Sequence, residues 1–291
     1  MVIKRFIALL AAMLALSLVS ISGAVGYDKP IVVSTGAATP TRIVSLSPTA
    51  TEDLFAIGAG KQVVAVDNDS NYPANAPHSK LSGYTPNAEA IAVYKPDLVV
   101  LSYDASHIVE ALGKLHIAVL EQGAASNLAQ AYSQLDQLGR VTGHATGAAS
   151  VVARMKAQIG AIVKAVPRPK PALTVYHEID DNYYSATSKT FIGRVYTLLG
   201  LKDIADAADK TGSGYPKLSG EYIIGANPSL IVLADGQTTA NLKGRAGWST
   251  IAAVQNGGVV TVNADISSRW GPRIVDFLRV VSAAVKTVAS R

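Results

Sequence analysis

The chain has 291 residues, enough to bury two ordinary domain cores, and 49% hydrophobic against 16% charged residues excludes a disordered chain. The absence of cysteine excludes a disulfide framework, a thiol nucleophile, a thiolate metal site and the cysteine-anchored signal of a lipoprotein. A net charge of +5 with no basic run interleaved with aromatics argues against a nucleic-acid partner.

Residues 1–24 place Lys4 and Arg5 ahead of an apolar run from Phe6 to Ile21, and Ser22-Gly23-Ala24 fits a cleavage site of small residues. This is the pattern of a secretory signal peptide. The run falls just short of a comfortable membrane span. Removed or kept as an anchor, it puts the bulk of the protein outside the cytoplasmic membrane. Residues 25–41, with Pro30, Gly36 and Pro40, read as a tether.

A first lobe is expected over 42–125. Arg42 to Leu46 is a buried strand running into Ser47-Pro48-Thr49-Ala50-Thr51-Glu52, a helix start with Pro48 in the first turn and Ser47 or Thr49 as cap. Gly58-Ala59-Gly60 ends that helix, so it is a C-terminal stop and not a dinucleotide loop. Val63 to Val66 is the next strand, followed by a polar loop from Asp67 to Pro77. Glu89 to Leu101 (EAIAVYKPDLVVL) then reads as a short helix opened by a carboxylate, a proline stop, and a strand buried on both faces. A helix over about Ala105 to Leu115 and a strand over His116 to Leu120 complete the lobe.

Residues 126–170 form a helical connector. Val151, Met155, Ile159, Ile162 and Val166 make one apolar stripe on a long helix. A helical strut resists bending, so large domain motion is not expected. The second lobe, 171–291, opens on a strand from Ala172 to Tyr176, a polar loop from His177 to Lys189, a helix from Thr190 and a loop from Asp206 to Pro216. Glu221 to Leu233 (EYIIGANPSLIVL) repeats the earlier thirteen residues without a gap, with the Glu and the Pro seven apart in both copies. A strand from Val259 to Val262 and a helix from about Pro272 to Ala289 close the chain. The class is α/β, one Rossmann-like lobe used twice.

In open α/β sheets, ligands bind beyond the C-terminal strand ends. Those ends offer Ser47, Thr49, Asp69, Tyr72, Ser102, Tyr103, the His177–Tyr184 stretch with Tyr183, and Ser267 to Trp270 with Arg269; Tyr84 and Tyr215 precede the two repeats. The set is rich in aromatic and neutral polar groups and poor in charge, which suits a large, flat, partly apolar small molecule. The bland alternative is tyrosines lining a domain interface. The five histidines share no ligand spacing, and no metalloprotease, nucleophile-elbow or phosphate-loop pattern occurs. His177-Glu178 beside Asp180-Asp181 is the best metal or acid/base candidate, yet neighbours on an extended segment point opposite ways. No catalytic residue, metal ligand or cofactor is therefore assigned. Glu89 and Glu221 are equivalent by the repeat. Two carboxylates on a rigid body suit docking onto arginines of a two-fold partner, and equally suit purely local helix-start roles.

RIVSLSPTATEDLFAIGAG (Arg42 to Gly60), NYPANAP (Asn71 to Pro77), NAEAIAVYKPDLVVL (Asn87 to Leu101), YPKLSGE (Tyr215 to Glu221) and SRWGPRIVDF (Ser268 to Phe277) make the chain resemble the periplasmic binding proteins of cobalamin and ferric-siderophore ABC importers. The resemblance implies a class III binding protein, two lobes with central sheets joined by a single long backbone helix. It implies a monomeric, non-enzymatic receptor that clamps its ligand between the lobes and delivers it to a permease dimer driven by an ATPase. Glu89 and Glu221 match the glutamates that meet permease arginines. The cobalamin binders place tryptophans around the corrin, whereas the matching positions here hold Tyr84, Tyr215 and Ser102-Tyr103. Arg269 and Arg273 match arginines of the family's last-helix segment, and Trp270 adds a stacking face. The expected ligand is a corrinoid. A ferric siderophore or haem is the alternative, favoured if Arg269, Arg273, Lys189 and His177 converge. A secreted enzyme using His177, Glu178 and Asp180 is the distant third reading.

Overall fold

A computed structural model describes residues 39–291. The predicted signal peptide and most of the predicted tether lie outside the described residues. Two compact units emerge, one of residues 39–156 with 270–272, the other of 157–269 with 273–291. The boundary falls inside a helix, and each unit is built on its own four-stranded parallel sheet.

In the first unit, β1 (Ile43–Leu46), α1 (Pro48–Ala56), β2 (Val63–Val66), α2 (Ala88–Ala92), β3 (Leu98–Leu101), α3 (Ile108–Lys114) and β4 (Ala118–Glu121) follow in sequence, with strand order β2-β1-β3-β4. β1 and β3 are buried at every position, as strands covered on both faces must be. Val44, Leu46, Ile91, Val99, Leu101 and Leu112 form the core between sheet and helices. α4 (Leu128–Thr142) also belongs to this unit, tied to β4 by the Gln122 amide donating to the Gln134 carbonyl at 3.0 Å. Gly143, at φ 77°, then turns the chain into α5 (Ala145–Lys164), which carries the unit boundary between Lys156 and Ala157. The predicted stripe is buried at Val151, Met155 and Ile159.

The second unit holds β5 (Thr174–Glu178), α6 (Phe191–Leu198), β6 (Lys202–Asp203), α7 (Gly220–Ala226), β7 (Leu230–Leu233), α8 (Thr239–Lys243), α9 (Ala252–Gln255), β8 (Val259–Thr261), α10 (Ala264–Ser268) and α11 (Ile274–Ala289), with strand order β6-β5-β7-β8. Strand for strand this is the topology of the first sheet. The sequence repeat is a repeat of structure. α2–β3 and α7–β7 coincide, and the residue before each proline, Lys95 at φ 48° and Asn227 at φ 46°, adopts the same left-handed turn. Ile91 and Ile223 are each fully buried on the helix of their copy, a contribution of about 2 kcal/mol apiece. Among the described residues no helix is long and apolar enough to cross a membrane.

Candidate functional site

In each sheet the second strand lies on one side of the first and the third on the other, so the strand order reverses between β1 and β3, and between β5 and β7. That reversal opens a crevice at the C-terminal strand ends. In the first unit it is lined by hydroxyls. Ser47, buried after β1, caps α1 by accepting from the Ala50 amide at 3.3 Å, and Ser102, after β3, donates to Ser47 Oγ at 2.8 Å. Of the two predicted caps, Ser47 is the one used. Behind it Thr51 Oγ1 donates to Ser45 Oγ at 2.9 Å and lies 2.9 Å from Ser70 Oγ, which is hydrogen-bonded to Asp67. This buried chain pins the loop after β2, which carries half-buried Asp69 and the 46%-exposed Tyr72.

Tyr84 is set in place by its neighbour. A Cβ on Gly83 would lie 2.6 Å from the Leu46 carbonyl oxygen and 2.8 Å from Asp67 Oδ2, so only glycine passes there. The Tyr103 hydroxyl donates to the Tyr84 carbonyl at 3.5 Å, and burial raises its pKa. Ser47, Ser102, Tyr103 and Tyr84 are thus brought together by hydrogen bonds. Trp270, half-buried, belongs to this same unit, and a Cβ on Gly271 would meet Asp53 Oδ1 at 2.8 Å. Asp53 is fully buried beside Glu52, and its desolvation, with that like charge, pushes its carboxyl well above the usual range.

The second unit is organised differently. β5 runs two residues past the predicted strand end, because His177 and Glu178 continue the parallel pairing onto Val232 and Leu233. They are strand residues and not the start of a loop, and their side chains take opposite faces. His177 Nδ1 shares a 2.5 Å hydrogen bond with the Tyr196 hydroxyl and its ring sits edge-on to Phe277; burial lowers its pKa to about 3, so it is neutral. Glu178 accepts from Arg245 Nη1 and Nη2 at 2.6 and 2.7 Å and from the Tyr176 hydroxyl at 3.2 Å. Its burial outweighs the two Arg245 bonds and pushes its pKa up to about 7. The Arg245 guanidinium lies 4.5 Å over the Trp248 ring and 5.3 Å over Tyr183.

Asp180 Oδ1 accepts from the Asn182 and Tyr184 amides and shapes a turn that holds Tyr183 at φ 66°. The two predicted loops then zip together: Leu218 N donates to Tyr183 O at 3.0 Å, Ser185 N to Pro216 O at 3.0 Å, and Thr187 N to Gly214 O at 2.8 Å. Tyr215, half-buried, hydrogen-bonds Thr190 and is pushed up to about 12 by burial. Arg269 is buried against Asp265 at 2.9 Å. His177, Glu178 and Asp180 therefore serve three separate local structures, and among the described residues no cluster of three or more histidines and acids could hold a metal.

Glu89 and Glu221 are both exposed at the second position of their helices, α2 and α7. Asn87 and Ser219 supply the caps, accepting from the Ala90 and Tyr222 amides at 2.7 and 3.1 Å. Hydrogen bonds from its own N–H and from Ser219 lower the Glu221 pKa. Sequence reasoning passed over Arg245 and Trp248 entirely. The usable signal was Glu178 itself, since a carboxylate inside an apolar strand needs a cation from elsewhere in the chain.

The periplasmic binding protein family model matches residues 43–266. The chain is similar to the cobalamin-binding protein of Halobacterium salinarum (strain ATCC 29341 / DSM 671 / R1), 31% identical over 249 residues that cover 81% of this chain and 67% of the relative. Among solved structures it is similar to one described as a possible iron-binding (periplasmic solute-binding) protein of Staphylococcus epidermidis ATCC 12228, at a TM-score of 0.74 and 26% identity over 85% of this chain and 99% of that one. It shares its fold with the periplasmic vitamin B12 binding protein BtuF of Vibrio cholerae, at a TM-score of 0.72 and 21% identity over 87% and 99% of the two chains.

Proposed function

The chain belongs to the periplasmic binding protein family, the solute receptors of ABC importers and not enzymes, and on that premise we propose that its ligand is a corrinoid. The observation that carries the reading is the hydroxyl-lined crevice of the first unit, where Ser102 bonds Ser47 and the Tyr103 hydroxyl bonds the Tyr84 carbonyl. A corrinoid offers a broad apolar face rimmed by amides, which such groups match. Two of the four cations that would favour an anionic iron chelate are already committed: His177 is neutral in the core, and Arg269 is paired with Asp265. The relative named as cobalamin-binding supports the same choice. Asp69, Tyr72, Tyr183, Tyr215 and Trp270 complete the proposed contact set. A ferric siderophore or haem is the second reading, favoured by the likeness to a structure described as iron-binding.

Fluorescence titration with cyanocobalamin, haem and a ferric hydroxamate decides between them, read through the chain's two tryptophans, Trp248 and Trp270. Cyanocobalamin is expected to bind tightest. Tighter binding of either iron compound would move the assignment to the second reading.

Delivery follows from Glu89 and Glu221, proposed to dock a permease dimer through charge-assisted bonds to arginines, with the receptor acting as a monomer and exported by residues 1–24. Reversing both to lysine is expected to abolish uptake with ligand affinity unchanged. A normal uptake rate in that double variant would sink the docking role.

A further inference from the structure

The Glu178–Arg245 pair lies next to the proposed ligand loops, but the groups stacked on it lead to Glu221. Glu178 accepts from both terminal nitrogens of the guanidinium, and the guanidinium covers Trp248 and Tyr183, whose ring centroids are 5.6 Å apart. Those two rings in turn face Gly220. A Cβ built on that glycine would lie 3.7 Å from Trp248 Nε1 and 3.9 Å from Tyr183 Cε2, which is ordinary van der Waals contact. Gly220 is the first residue of α7 and Glu221 the second. The backbone makes the same connection, since the Leu218 amide donates to the Tyr183 carbonyl one residue before the Ser219 cap.

We propose that Arg245 and Trp248 are positioning residues for Glu221: the ion pair braces the Trp248 and Tyr183 rings, and the rings seat the first turn of α7 so that the docking carboxylate is presented in one orientation. The functional part of this rests on the docking role proposed above. In the first unit the matching strand position carries no charge. There Asn87 caps α2, and Leu46 stands at the register position that Glu178 holds in β5. The Asn87 cap is therefore an internal control on the same molecule.

The seating leaves a signature in the isolated protein. The Glu221 carboxylate is held low by its own N–H and the Ser219 hydroxyl, and both bonds need a well-formed first turn. In Trp248→Phe the site stays aromatic and apolar, but the shorter ring withdraws the edge beneath Gly220. In Arg245→Lys the charge stays and the flat stacking surface goes. NMR of the carboxyl carbons is expected to show Glu221 titrating at higher pH in both variants, and the Tyr222 amide exchanging about fivefold faster, as for a weakened cap, with the Ala90 amide at the Asn87 cap unmoved. Gly220→Ala is expected to act in the opposite direction, slowing that exchange, because its methyl fits against both rings. Glu221 and Tyr222 unchanged in Trp248→Phe and Arg245→Lys, or the Ala90 amide quickening by as much as the Tyr222 amide, would overturn the proposal. A second measurement separates it from the docking role, cyanocobalamin uptake by cells carrying only the variant chain. If Glu221→Gln leaves uptake normal while the NMR shifts occur, the docking role falls and the positioning stands.

Discussion

Lowering the pH tests whether His177 is a core residue or a working one. The ring is neutral in the folded protein because burial holds its pKa at about 3, against an ordinary 6.5. A base depressed in this way binds fewer protons folded than unfolded between those two values, so its contribution is complete above pH 6.5 and is lost as pH falls towards 3. Each unit is worth about 1.4 kcal/mol, so the 1.5 units from 6.5 down to 5 remove about 2 kcal/mol. Glu178 and Asp203 are raised, to about 7 and about 8, and act in the opposite sense over the same range. The clean quantity is therefore a difference. Urea unfolding of the wild type and His177→Phe at pH 8, 7, 6 and 5 is expected to show a gap that is constant at the top of this range and about 2 kcal/mol smaller at pH 5. Phe is expected to leave cyanocobalamin and haem affinities unaltered, since the imidazole faces Tyr196 and Phe277. A gap that does not change with pH, or a loss of ligand affinity, would refute the placement of His177 in the core.

Arg245→Leu alone leaves a buried carboxylate uncompensated and is expected to cost about 3–5 kcal/mol, whereas Glu178→Leu with Arg245→Leu is expected to fall within about 1 kcal/mol of the wild type or above it, by thermal and urea unfolding. Asp203, buried and raised to about 8, weakens the fold as pH rises from 3.8 through that value, so Asp203→Asn is expected to gain about 2 kcal/mol on the wild type between pH 6 and 8. Gly225 lies in the last turn of α7 with nothing within 4 Å of a built Cβ, and Gly225→Ala is expected to stabilise by about 0.5–1 kcal/mol in urea unfolding.

The two-sheet α/β plan was legible because its signals are local. Buried parallel strands announce themselves as short apolar runs, and the thirteen-residue repeat placed α2–β3 and α7–β7 at once. One cap was legible for the same reason, Ser47 being one of the two residues expected at the start of α1. The end of β5 is not legible because His177 and Glu178 are polar, and a polar stretch after an apolar run reads as a loop. Tertiary pairing to β7 overrode it. The zipper between residues 183–187 and 214–218, and the Arg245–Trp248 stack, join segments some thirty to seventy residues apart. No local pattern encodes such pairs.

The pairing registers explain why these polar residues sit where they do. Ile43 faces Leu98 in the first sheet and Val175 faces Leu230 in the second, and β3 and β7 are copies of one another. Carrying that register along, Ser45 and His177 hold the same position, and Leu46 and Glu178 the next. Ser45 is an inward polar group satisfied within its own unit by Thr51, and His177 is likewise satisfied by Tyr196. The shared position is thus a buried polar tie between the first strand and its covering elements, met by a hydroxyl in one copy and an imidazole in the other. The neighbouring position is apolar in one copy and holds the Arg245-bonded carboxyl in the other. A leucine there builds a complete sheet in the first unit, so the fold does not require the Glu178–Arg245 pair, and buried ion pairs are weak sources of stability in any case. Its presence in the copy where the rings seat Gly220 is what a positioning role predicts and a purely stabilising role does not.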